Sequence, residues 1–430
     1  MKSVFKKFIV SVLTAEAKLL LQRTQPKIIA VTGSVGKTST KDAIYTAIKN
    51  HVHARKSEKS FNSEIGVPLS VLGLPNAWNN PLLWIKNIIE GFFIALFPGT
   101  YPDVLVLETG VDRPGDMAQL TSWLKPDIVV LTRLPDVPVH VEYFSRPEEV
   151  VVEKMRLVHA LKPDGVLIYN HDDMIIQNVL DEVRQQAIGY SRYLPSHYNA
   201  SADRLVYQDD MPTGTEFELS HLNESVTIRV PGTLGTSVVY MAAAAAAVAA
   251  QLDIPLAEVA KSLAQHTPAP GRMRVLLGIK GSTIIDDTYN SSPVAVESAL
   301  QTLQEYKGAK RRIAVLGDML ELGQFSVREH ERIGERVVAS GVDMLITVGV
   351  RSRKTAEGAL EHGLSEKHIL QYEQTERAGR ELQNLIKPGD VILVKASQSI
   401  RAEKIVEEVM AEPEKASQQL VRQDRDWKRR

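Results

Sequence analysis

The sequence predicts an α/β protein with two parallel-sheet units, the first organised around a glycine-rich strand-to-helix turn and the second doubly wound. Three observations carry this. Short apolar runs alternate with helix-patterned stretches along most of the 430 residues. One of those runs ends in glycines that open directly into a helix pattern, and a Pro/Gly-rich break near residues 267–271 separates two such series. The chain is also too long for one compact core, so two or three domains are expected.

Along the chain, residues 1–25 mix Lys2, Lys6, Lys7 and Lys18 with Phe5, Phe8, Ile9, Val12, Leu13 and Leu19, which suits a basic amphipathic helix. A docked or surface helix is the favoured reading and peripheral membrane contact the alternative. An export signal is disfavoured, because no small-residue cleavage site precedes a fresh domain. Lys27 to Thr32 reads as a buried strand and Thr38 to Ile48 as the following helix. The apolar stretch Leu82 to Phe97 is interrupted by Lys86, Asn87, Glu90 and Gly91, so it reads as a mostly buried helix, with a membrane-facing helix as the alternative.

Val104 to Leu107, Ile128 to Leu131 and Val166 to Tyr169 continue the parallel sheet. From Asp203 to Val230 the pattern becomes short alternating strands with a turn at Pro212, Thr213 and Gly214. The alanine run Met241 to Ala250 reads as a tightly packed interior helix. This first unit is placed at residues 26–268. After the break, strands are expected at Ser282 to Ile285, Arg312 to Leu316, Met344 to Val348 and Asp390 to Val394, giving a Rossmann-like unit over 269–412. Residues 413–430 read as a polar tail, either a terminal helix or a loose end.

Composition narrows the function classes. With 51 basic and 52 acidic residues, the net charge of -1 implies no nucleic-acid partner, and 44% hydrophobic content is that of an ordinary globular protein. The absence of cysteine excludes disulfides, thiolate-bound zinc, iron–sulfur clusters and thiol catalysis, and is compatible with a cytoplasmic setting.

The chemistry centres on Gly33-Ser34-Val35-Gly36-Lys37-Thr38, followed by Ser39. In such a loop backbone N–H groups and a helix N-terminus surround phosphate oxygens, a lysine neutralises their charge and a threonine hydroxyl ligates Mg²⁺. The loop is one residue shorter than the eight-residue Walker form, and by itself it implies ATP or GTP binding and nothing more. Phosphoryl transfer needs further cation holders. Glu108 closes an apolar strand at the carboxyl end where such sites lie, and His140 follows another strand and could supply an imidazole to a second Mg²⁺. The readings against them are a surface carboxylate and a solvated loop histidine.

These elements resemble the Mur ligases over nearly the whole chain, most closely the branch that adds D-alanyl-D-alanine. The resemblance rests on Phe61-Asn62-Ser63-Glu64-Ile65-Gly66-Val67-Pro68-Leu69, Leu107-Glu108-Thr109-Gly110, Pro114-Gly115-Asp116, Pro270-Gly271-Arg272-Met273, Ile285-Asp286-Asp287-Thr288-Tyr289-Asn290 and Leu316-Gly317-Asp318-Met319-Leu320-Glu321-Leu322-Gly323. It implies a central ATPase domain, a C-terminal ligase domain and a cytoplasmic amide ligase that acts as a monomer. The implied reaction joins D-alanyl-D-alanine to a UDP-N-acetylmuramoyl tripeptide through an acyl phosphate, using ATP and two Mg²⁺ ions.

For individual residues, it implies that Lys154, fourteen residues after His140, is carbamylated and ligates Mg²⁺ with Thr38, Glu108 and His140. Arg272 would touch phosphates, Asp287 and Asn290 would face the nucleotide, and Asn62, Asp318, Lys395 and Ser397 would contact substrates. The sequence also departs from the pattern. The branch carries a separate N-terminal domain that grips the uridine nucleotide, and here the stretch Met1 to Arg23 stands before the loop. Ser237 and Met241 replace a usual histidine and asparagine, and Gln398 replaces an arginine able to pair with a carboxylate. A Mur-type ligase with another acceptor, such as a folate polyglutamylating or cyanophycin-type enzyme, and a non-catalytic precursor-binding relative are the competing readings.

Overall fold

The computed structural model describes residues 3–58, 61–424 and 427, so Met1 and Lys2 of the expected amphipathic helix and most of the last six residues lie outside the described part. Among the described residues nine strands form one sheet: β1 (Lys27–Thr32), β2 (Ala54–Lys56), β3 (Val104–Glu108), β4 (Ile128–Leu131), β5 (Val166–Asn170), β6 (Gln186–Ser191), β7 (Tyr198–Gln208), β8 (Met211–His221) and β9 (Glu224–Pro231), in the order β2-β3-β1-β4-β5-β6-β7-β8-β9. Pairing is parallel as far as β7, and β8 and β9 add an antiparallel meander.

Helices cover both faces of this sheet: α1 (Ser3–Thr24), α2 (Lys37–Ile48), α3 (Gly66–Leu72), α4 (Pro81–Leu96), α5 (Asp116–Thr121), α6 (Pro147–His159), α7 (Met174–Val179), α8 (Thr236–Ala250) and α9 (Leu256–Leu263). Strand alternation decides which side chains meet which layer. Ile29 and Val31 of β1 point to α2 and α8, whereas Ile28 and Ala30 point to the side of α1, α3 and α6. Burial on both faces is what makes these strands continuous apolar runs. Every residue from 241 to 249 of α8 is buried, so its alanines serve close helix packing.

The second sheet has the order β10-β11-β15-β12-β13-β14, from β10 (Arg274–Leu277), β11 (Thr283–Asp287), β12 (Arg311–Gly317), β13 (Met344–Val348), β14 (Ile369–Tyr372) and β15 (Asp390–Lys395). β10 pairs antiparallel with β11 and the other pairs are parallel. It is sandwiched between α10 (Pro293–Glu305) with α11 (Ser326–Ala339) on one face and α13 (Thr375–Leu385) with α14 (Glu403–Val409) on the other, α12 (Arg353–Glu361) packing against α11.

Three expectations are corrected. The hairpin turn falls at Asp209 and Asp210, both at positive φ, not at Pro212 to Gly214, which lie inside β8. Two left-handed residues give the turn twist that long strands need. Gly214 is in the strand because an added Cβ would stand 2.3 Å from the Val230 carbonyl oxygen. The helix at 82–97 is not mostly buried: of α4 only Trp84, Asn87, Gly91 and Ala95 are buried, with Ile88 and Ile94 partly so. Among its described residues the tail is not a loose end but a short helix, Ala416–Gln419, followed by a docked Arg422. Arg422 donates to the Thr288 and Tyr289 carbonyls at 2.6 and 3.2 Å and lies 3.2 Å from the buried carboxylate of Glu403. Beyond it, Trp427 packs edge-on against Trp78, centroids 6.5 Å apart. No helix among the described residues is long and apolar enough to cross a membrane.

Candidate active site

The loop after β1 takes its shape from two glycines and one threonine. Gly33 has φ +143, and a Cβ there would overlap Thr132 Oγ1, at 2.0 Å, so only glycine lets the loop press against the end of β4. Gly36, at φ +85, turns the chain into α2. Thr132 donates to the Val35 carbonyl at 2.7 Å, and the Ser34 N–H donates to the Arg133 carbonyl at 2.7 Å. The Ser34 hydroxyl is buried without a partner, as a donor reserved for a ligand would be.

Two ammonium groups converge on the same carbonyl. Lys37 and Lys154 each place Nζ 3.0 Å from the Gly33 oxygen. Burial lowers the affinity of Lys37 for its proton, opposed by the charges of Glu108 and Asp112. Burial, then the adjacent Lys37, holds the Lys154 amine well below the ordinary lysine range.

Glu108 ends β3 beside Val31 of β1, which puts its carboxylate at the carboxyl edge of the sheet. One oxygen accepts from Asn62 Nδ2 at 3.2 Å, and the other is buried without a partner. An orphaned buried carboxylate oxygen beside a phosphate loop fits a cation ligand. Among the described residues no three His, Asp or Glu side chains converge as a metal cluster. His140, at φ 71, instead places Nδ1 2.7 Å from Glu321 and Nε2 3.5 Å from Asp112. The His140 contact holds the Glu321 carboxyl below its usual range and joins the first unit to the second. Asp112, which the motifs did not single out, thus faces Lys37, Lys154 and His140 together.

Arg272 reaches from the start of the second unit to Thr38, its Nη2 3.1 Å from the hydroxyl, while its guanidinium stacks 3.9 Å from the Tyr289 ring centroid. The remaining residues singled out in the second unit gather at the carboxyl ends of β11, β12 and β15. Asp287 and Lys395 are register partners, and Lys395 Nζ donates to the Asp287 carboxylate at 2.6 Å and to the Asn290 carbonyl at 2.8 Å. Asp318 accepts from the Ser352 N–H at 2.7 Å, and the Ser397 hydroxyl accepts from the Leu320 N–H at 2.9 Å. Asp286, also missed, accepts from Gly271 and Thr288, and burial pushes its pKa up to about 6.

Between the two units lies a cavity of about 610 Å³, bounded by Val35, Gly36 and Thr40 on the loop side, by Ser237, Tyr240 and Met241 of α8, and by Gln301 and Arg332 of the second unit. It lies next to the phosphate loop and is large enough for a nucleotide base and sugar. Arg133, Asp172 and Tyr240 line it, with the Tyr240 hydroxyl donating to Asp172 at 2.9 Å. No spacing rule marks these three; they meet only once the sheet is formed.

Both units match known protein families. Residues 86–249 match the Mur ligase middle domain and residues 271–398 the Mur ligase glutamate ligase domain. The UDP-N-acetylmuramoyl-tripeptide–D-alanyl-D-alanine ligase of Mycobacterium leprae is 31% identical over 87% of this chain and 71% of its own length, and that of Bacillus subtilis is 29% identical over 92% and 79%. Among solved structures, the MurF ligase of Thermotoga maritima in complex with ADP superposes with a TM-score of 0.76 at 26% identity, covering 94% of this chain and 84% of that one.

Proposed function

Because the chain belongs to the Mur ligase family, we propose that it joins D-alanyl-D-alanine to a UDP-N-acetylmuramoyl tripeptide on the cytoplasmic side, with ATP as the energy source. The tripeptide's terminal carboxylate attacks the γ-phosphorus and ADP leaves. The dipeptide amine then attacks the acyl phosphate carbonyl, forming the amide, releasing phosphate and losing one proton. The observation that carries this reading is the convergence of Lys37, Lys154 and Arg272 with Glu108 around one phosphate-sized loop.

In this reading the Gly33–Ser39 segment binds the phosphates and Lys37 and Arg272 balance the charge that develops on transfer. The neutral amine of Lys154 is the form that adds CO₂, giving a carbamate anion and a released proton. Thr38, Glu108 and carbamylated Lys154 would hold Mg²⁺, with His140 free to join them once it leaves Glu321; the metal would draw charge from the transferring phosphoryl group. Asp287 and Asn290 border the nucleotide, Asn62 steadies Glu108, and the Asp318, Lys395 and Ser397 cluster shapes the face on which the dipeptide enters. Closure of the second unit over the first excludes water from the acyl phosphate.

The test is ADP release by the purified chain. It should require ATP, Mg²⁺, the tripeptide precursor and D-alanyl-D-alanine together, with a pentapeptide product seen by mass spectrometry. Release with no dependence on the dipeptide, or none at all, would overturn the assignment.

A further inference from the structure

α4 is apolar on two faces. Trp84, Gly91 and Ala95 pack inward, and the Trp84 indole donates to the Trp78 carbonyl at 2.9 Å. The opposite face presents Leu82, Ile85, Ile89, Phe92, Phe93 and Phe97, each at least 51% exposed. Their spacing follows the helical repeat, so they form one stripe. Exposed apolar patches of this kind mark interaction surfaces.

The charge beside this stripe indicates what covers it. α1 packs along α4, close enough that a Cβ at Gly91 would stand 2.3 Å from the Glu16 carboxylate. The exposed side of α1 adds Phe5 and Phe8 to the apolar surface, together with Lys7, Lys18 and Arg23, whereas Lys6 is paired with Glu64 at 2.7 Å. Its one acidic residue, Glu16, is buried. On α4, Lys86 and Glu90 face each other at 3.9 Å and offset. The chain as a whole carries a net charge of -1, so this cationic margin is local. A second copy docked on the same face about a two-fold axis would set the α1 lysines against like charge, whereas an anionic surface would attract them. Sixteen residues of helix reach about 24 Å, short of the roughly 30 Å hydrocarbon core, so the helix is too short to span a bilayer.

We propose that α4 and the adjoining face of α1 form a peripheral docking surface for an anionic lipid bilayer, with Ile89, Phe92 and Phe93 entering the headgroup boundary and the α1 lysines holding the phosphates. This is independent of which amide the enzyme forms. It is tested by flotation of the full-length protein with phosphatidylcholine vesicles containing phosphatidylglycerol, without substrates, so a failed ligase assay leaves the result readable. The protein should float with these vesicles, less with pure phosphatidylcholine and less as salt rises. An Ile89→Ser/Phe93→Ser variant and a Lys7→Glu/Lys18→Glu variant, each with an unchanged melting temperature, should lose at least about ten-fold in vesicle partition.

Protein that stays in the soluble fraction with anionic vesicles at low salt would overturn the proposal, as would variants that float like the parent. A dimer in gel filtration that the Ile89→Ser/Phe93→Ser variant converts to monomer would assign the face to a second copy instead.

Discussion

The guanidinium of Arg272 lies 3.1 Å from the hydroxyl of Thr38, so the first turn of α2 and the start of the second unit meet at one hydrogen bond. Phosphate bound in the loop would lie within reach of a cation delivered by the other half of the molecule. Arg272→Met should therefore weaken ADP binding about ten-fold, or about 1.4 kcal/mol, read by titration calorimetry. Arg272→Lys should recover only part of this, because a lysine cannot donate to Thr38 while stacking on Tyr289.

Lys37→Ala should reduce ADP release by about 10³-fold or more, on the scale of losing one positioned charge in a closed site. Its melting temperature should not fall, since the amine is held in a site that disfavours its charge. Binding of the UDP-linked precursor should persist, which separates an enzyme from a protein that merely holds precursors.

The depressed basicity of Lys154 predicts a dependence on CO₂ and pH. The amine is neutral above its lowered pKa and can then add CO₂, whereas acid protonates it and releases the carbamate. Turnover should rise with pH through that range, fall when buffers are stripped of CO₂, and return on adding bicarbonate. Lys154→Arg, which keeps a positive charge but cannot form a carbamate, should lose turnover and gain nothing from bicarbonate.

Glu16 supplies a stability prediction. Burial raises its carboxyl from 4.5 to about 7 in the folded chain. A raised folded pKa means that its contribution is fully present below pH 4.5 and is lost as pH rises towards 7. Glu16→Gln should therefore be the more stable form at pH 8, by about 2 kcal/mol after allowance for solvent screening, and should match the parent near pH 4. Denaturant melts at the two pH values measure this.

Arg422→Ala should destabilise the protein by about 3 kcal/mol, since it leaves the buried carboxylate of Glu403 short of a partner and two loop carbonyls without a donor. Thermal melts with and without ADP should show the loss in both states.

The phosphate loop was legible because its rules are local: a buried strand, two glycines that alone tolerate the turn, and a lysine one residue into the helix. Glu108 was legible for a similar reason, as the last residue of a strand whose direction the pattern already indicates. α4 was misread because periodicity counts apolar positions without saying which of two apolar faces finds a partner. The hairpin was misread because Pro212 and Gly214 look like turn residues, whereas the two aspartates before them take the left-handed conformations. Asp112, Arg133 and Tyr240 carry no motif, and the orientation of His140 towards Glu321 depends on a contact 181 residues away in the chain. Such cross-unit contacts are set by tertiary packing and leave no periodic trace.

Trp427 beside Trp78 gives the chain a mechanical property that neither sheet has alone. After α14 the tail is held to Glu403 and to the turn at Tyr289 through Arg422, and Trp427 sits against a loop of the first unit. The two halves are thus strapped together by Arg422 and Trp427 as well as by the segment that joins them. Opening the cleft far enough to exchange nucleotide must pivot about this strap or unfasten it. The indole pair is also a built-in optical gauge: with the other two tryptophans, Trp84 and Trp123, replaced by phenylalanine, its emission should change when the strap releases, which allows hinge motion to be timed without any attached dye.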